Sequence, residues 1–194
     1  MNKLFTLLTI AMTLSANDSW AQEPLLTTSQ ITQKIQQKVQ LYADAVTCWK
    51  TEAPDQKKYS VSPKMIAALS PYVKKEYEGS GSFVTFWVGD MGCNGGSGTT
   101  SYYLATVNVD VRGDFYVDPF ASEPFIKISD QLNTRFIERI VGNTKDTLII
   151  DALNFGSDKD ANNFPSHKYR YTLKLDAKNN WNLLEKKFLG VVKQ

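Results

Sequence analysis

The stretch Ser82 to Val88, SFVTFWV, is apolar on both faces of an extended chain and reads as a central strand. Downstream, Tyr103, Ala105, Val107, Val109 and Val111 alternate with Thr106, Asn108, Asp110 and Arg112, the period of a half-buried strand. Further strands are predicted at Asp114 to Val117, Arg135 to Val141, Asp146 to Phe155, Lys168 to Asp176 and Trp181 to Leu189. Gly142 to Lys145 and Ala177 to Asn180 supply hairpin turns between neighbours. The second half of the chain is thus committed to an antiparallel arrangement.

The first half reads differently. From Thr28 to about Lys50, Ile31, Ile35, Val39, Tyr42, Val46 and Trp49 fall on one helical face, and Thr27 with Gln30 offers a capping box. Gln33, Lys34, Gln37 and Lys38 occupy the opposite side, too rich in glutamine for a basic membrane-surface helix. Ser62-Pro63 and Ser70-Pro71 each pair an N-cap residue with proline at the first helical position, which predicts short helices over Met65 to Leu69 and Tyr72 to Tyr77. The expected class is α+β: an amphipathic helix and short helices, then a curved antiparallel sheet of about five or six strands. By analogy of element order alone, such a sheet wraps the helix as in nuclear-transport-factor-like or cystatin-like cones, an analogy that carries no function.

Lys3, the apolar run Leu4 to Leu14 and Ser19-Trp20-Ala21 form the three parts of a secretory signal peptide, cleaved after about Ala21. That run is too short to span a bilayer, and no later stretch is long and charge-free enough. Residues 1–21 are therefore read as a leader and residues 22–194 as one secreted domain, periplasmic or extracellular. The chain is 42% hydrophobic with a formal net charge of +2, which describes a globular protein and gives no argument for nucleic acid. Cys48 and Cys93 are its only cysteines and both outlast cleavage of the leader, so a disulfide between them is expected.

Cys93 sits in GDMGCNGGSGTT, Gly89 to Thr100, which holds five of the eleven glycines. The stretch lacks the lysine and hydroxyl residue of a phosphate-binding loop, the G-x-G-x-x-G spacing, and the final glycine of G-x-S-x-G. Gly92-Cys93-Asn94-Gly95-Gly96 resembles the GCNGG element of papain-like cysteine proteases. Cys48-Trp49, His167 and Asn180-Trp181 follow that family's order of nucleophile, histidine and asparagine-tryptophan element. The resemblance implies a thiol protease with Cys48 as nucleophile. The local chemistry opposes it, because Cys48 closes a helix, where the dipole disfavours thiolate, and no glutamine precedes it to build an oxyanion hole.

Other candidates are sparse. His167, the only histidine, follows Phe164-Pro165-Ser166 at a strand entrance, and one histidine with two bonded cysteines cannot make a closed zinc set. Asp158 to Asn163 begins like a calcium loop, but Asn163 replaces its glycine and Tyr169 its twelfth-position carboxylate; a weaker calcium site is the remaining form. Lys168, Arg170 and Lys174 share one strand face, joined across the hairpin by Lys186 and Lys187; they make either a solvated sheet face or a surface for an acidic partner. No catalytic set, metal or cofactor is assigned.

The leading expectation is a secreted or periplasmic binding module without catalysis, for instance an inhibitor or immunity protein acting on an envelope or secreted enzyme. Its contact is the loop Asn94, Gly95, Gly96, Ser97 and Gly98, whose small side chains can enter a narrow site. One alternative is a small-ligand carrier lined by Phe86, Trp87 and Tyr103; the other is a hydrolase, the papain-like protease included.

Overall fold

The computed structural model describes residues 25–48, 61–75, 78–93, 99–122, 128, 130–156, 160 and 164–192. The proposed leader therefore lies outside the described residues. One helix, α1 (Thr28–Val46), precedes eight strands: β1 (Ile66–Lys75), β2 (Glu78–Gly89), β3 (Ser101–Val109), β4 (Phe115–Asp118), β5 (Ile137–Asn143), β6 (Thr147–Asn154), β7 (His167–Leu175) and β8 (Trp181–Val191). The strands form two antiparallel meanders in chain order, β1 to β4 and β5 to β8.

The predicted helix forms with its predicted cap and ends at Val46, short of the expected Lys50; Trp49 and Lys50 lie outside the described residues. Thr27 accepts from the Gln30 amide while the Gln30 side chain accepts from the Thr27 amide. These two bonds satisfy backbone donors that a helix end otherwise leaves open. Ile35, Val39 and Ala43 are fully buried on one face, with Ile31, Tyr42 and Val46 packed beside them.

The two short helices are corrected. Ser62 does cap a turn starting at Pro63, but that turn ends at Met65, and the chain continues as β1 through Leu69, Ser70, Pro71 and Tyr72. Proline is tolerated because β1 is the edge strand of its sheet and Pro71 lies in a bulge, where Pro71 and Tyr72 together face Gly81 of β2. An edge or bulge position needs no ladder hydrogen bond from the missing N–H. Ser-Pro marked the irregularity correctly and the element wrongly.

The single curved sheet is also replaced, by two four-stranded sheets that are neither closed nor strongly curled. The meander breaks after the short β4, where Pro119 follows and no hairpin connects to β5; the chain reaches it through a short turn at Thr134–Phe136. The hairpin turns expected at Gly142 to Lys145 and Ala177 to Asn180 form at residues 144–146 and 176–180.

The sheets stack face to face. Ala67, Val84, Phe86 and Leu104 from the first meet Leu148, Ile150, Tyr171, Leu173 and Trp181 from the second in one core. The other face of the first sheet packs under α1 through Phe83, Trp87, Ala105, Val107 and Phe115. The result is three layers, helix, sheet and sheet, and β2 is buried on both sides as its sequence required. At Gly79 a side chain would collide with the backbone of Asp110 and Gly113, so the β3–β4 turn closes directly onto β2.

Candidate functional site

The base of the glycine loop is where the first helix, the disulfide and the end of β2 meet. A Cβ at Gly89 would come within 2.7 Å of the Thr47 methyl and 2.5 Å of the Trp87 ring, so glycine lets the strand end pass under the helix terminus. Thr47 closes α1 by donating its amide and hydroxyl to the Ala43 carbonyl, at 3.0 and 2.8 Å. Cys48 and Cys93 are disulfide-bonded, with Cα atoms 5.1 Å apart. Cys93 adopts φ 56°, a left-handed conformation uncommon outside glycine, which turns the chain toward the helix.

Beyond Cys93, Asn94 to Gly98 lie outside the described residues, and the chain returns at Thr99. There the Thr99 hydroxyl donates to Asp90 Oδ2 at 2.8 Å, and Asp90 is only 5% exposed. The Met91 amide donates to the Tyr103 hydroxyl at 3.4 Å, which adds a tie to β3. Five residues are thus bracketed by a covalent anchor on one side and a buried carboxylate on the other.

The proposed ligand-lining residues divide between two layers, Phe86 in one and Trp87 with Tyr103 in the other. Phe86 lies in the core between the sheets and Trp87 on the opposite face of β2 under α1, each 1% exposed. Tyr103 packs on Trp87 with ring centroids 5.0 Å apart, and Tyr42 meets the same indole edge-on at 6.0 Å. The first sheet thus separates Phe86 from Trp87 and Tyr103.

The papain-like arrangement loses its nucleophile, because the Cys48 sulfur is bonded to Cys93. His167 starts β7 and packs edge-on against Phe188 at 5.2 Å. Of the calcium-loop candidates, Asp158, Asn162 and Asn163 lie outside the described residues. The Asp160 carboxylate accepts from the Gly156 and Ser166 amides and the Ser166 hydroxyl, bonds that hold it below the usual carboxylate range, led by the Gly156 amide.

The basic strand is internally neutralised. Lys168 pairs with Glu138 at 2.7 Å, Arg170 with Asp151 at 2.8 Å and Lys174 with Asp146 at 2.6 Å. Asp151, unnoticed in the sequence, is the centre of this face. Its side chain is 0% exposed, and Arg139 on β5 and Arg170 on β7 both donate to it. Burial pushes its carboxyl up, yet the hydrogen bonds from Arg170 and Arg139 prevail and hold it below the ordinary value. Cross-strand register brings the three together, and register is the information that a single strand's alternation lacks.

Among the described residues no group of three or more His, Cys, Asp or Glu side chains could hold a metal ion, and no helix is long and apolar enough to cross a membrane. No protein-family model, curated protein or solved structure matches the chain, so function rests on its own geometry.

Proposed function

We propose that the chain is a secreted or periplasmic binding module, without catalysis of its own, that engages an envelope or secreted protein through the loop Asn94 to Gly98. The supporting observation is the bracket at the base of that loop: Cys93 is fixed to the end of α1, and Thr99 is fixed to the buried Asp90. Anchoring both ends reduces the freedom the loop loses on docking, which is the usual route by which a short loop gains affinity. An inhibitor or immunity protein that inserts small residues into an enzyme's cleft is the form that fits best.

The test is partner recovery from an envelope extract with three proteins: wild type, Gly96→Trp at the loop and Thr172→Ala on the far sheet. The expected result is one partner retained by wild type and Thr172→Ala and lost by Gly96→Trp. Equal recovery by all three removes the loop as the contact. Amino-terminal sequencing of the exported protein tests the leader, with a start near Gln22 expected.

A further inference from the structure

Ser82 on β2, Thr106 and Asn108 on β3, and Asp118 at the end of β4 share the parity of Val84 and Leu104, so they face the second sheet. Here the apolar filling gives way to a cleft of about 140 Å³, lined beside them by Leu69 of β1 and across from them by Leu175, Asn179 and Trp181 of the second sheet and its last turn. A dry engineered cavity of about 150 Å³ holds a benzene ring, so the space suits a ring-sized body.

Three hydrogens on the polar wall are already committed. Ser82 Oγ donates to Asn108 Oδ1 at 2.8 Å, and Asn108 Nδ2 donates to Asp118 Oδ2 at 3.5 Å. Thr106 Oγ1 donates to the Ala121 carbonyl at 2.8 Å. The amides of Phe120 and Ala121 donate to Asp118 Oδ1 at 3.0 and 3.2 Å, which fixes the carboxylate in place. None of the ion pairs among the described residues includes Asp118. What this wall offers is one negative charge with acceptor lone pairs beside it, and Leu69, Leu175, Trp181 and Asn179 complete the lining.

We infer that this cleft binds a small organic cation, an ammonium group on a short apolar stem. The ammonium donates to Asp118 Oδ2 and the stem lies against Trp181, Leu69 and Leu175. The site is separate from the glycine loop, because Ser82 and Gly89 are seven residues apart on β2, roughly 23 Å at strand rise. The cation could be a free amine or the end of a partner's lysine, and these sources differ in what surrounds the stem.

The experiment is ligand-observed NMR and titration on the full chain with benzylamine, benzyl alcohol and benzoate. Benzylamine is expected to bind at least about tenfold more tightly than its neutral analogue, and benzoate not at all. Asp118→Asn keeps the Oδ1 acceptor of the turn but removes the charge, and should weaken benzylamine by a similar factor with an unchanged melting temperature. Tighter binding of N-acetyl-lysine methylamide than of butylamine assigns the cation to a partner's side chain; the reverse order assigns it to a free amine. Equal affinity for benzylamine and benzyl alcohol, absence of amine binding at millimolar concentration, or an unaffected folded Asp118→Asn each overturns the proposal. If that variant fails to fold, the wild-type contrast between amine and alcohol decides alone.

Discussion

The two sheets have the same four-stranded meander topology and opposite relations to their surroundings. The first is buried twice, under α1 and against the second sheet, so Phe86 and Trp87, neighbours on β2, each fill a different core. The second is buried once; its other face holds Glu138, Arg139, Asp151, Lys168, Arg170 and Lys174 in ion pairs. One topology thus serves as an inner layer and as an outer wall, and the difference lies in what each strand carries at its second parity.

The largest effects should test the two-sided burial. Phe86→Ala and Trp87→Ala are each expected to cost about 3–5 kcal/mol in urea unfolding, because either truncation empties a packed site. On β7 only one parity should behave this way, with Tyr171→Ala in the same range and Thr172→Ala within about 0.5 kcal/mol. Comparable losses at Tyr171 and Thr172 would break the contrast.

The disulfide should separate the layers next. Replacing Cys48 and Cys93 by serine opens a bond spanning 45 residues, with a loss of up to about 4 kcal/mol in the chain-entropy account. Amide exchange should accelerate first in α1 and least in β6 and β7. Uniform acceleration would show that helix and sheets open as one unit.

Asp151→Asn probes the outer wall, at an expected cost of about 1–3 kcal/mol, since the two arginines left behind can turn to water. Its carboxyl is depressed in the folded state, so the stabilisation is present above the unfolded value of about 4 and is lost as pH falls through the folded one. The wild-type advantage over Asp151→Asn should therefore shrink below about pH 4. Asp176 titrates in the same direction, held at about 2 by the Asn180 amide before its other donors. An advantage that is flat in pH would mean that Asp151 contributes through packing. The smallest effect is expected for Thr27→Ala, about 1 kcal/mol from the lost cap, read as fraying of α1 by circular dichroism.

How much of this was legible depended on whether the cause was local. The SFVTFWV run announced a strand with no wet face, and Thr27 with Gln30 announced the helix start, because both signals reside in neighbouring residues. Pro71 was read as a helix start since edge position and bulging are properties of the whole sheet. Thr106 and Asn108 alternate with valines and looked water-facing, yet Thr106 is 8% exposed and both line the cleft between sheets. Polarity at one parity says that a hydrogen-bonding environment is there; it does not say whether water or a second sheet provides it.

The bond between Cys48 and Cys93 also makes a covalent ring of the intervening chain, which contains all of β1 and all of β2. A protease that cuts once inside that ring releases nothing: the product gains the mass of one water and both pieces stay joined. Only a reductant frees them, so a single nick is invisible on a non-reducing gel and gives two fragments on a reducing one.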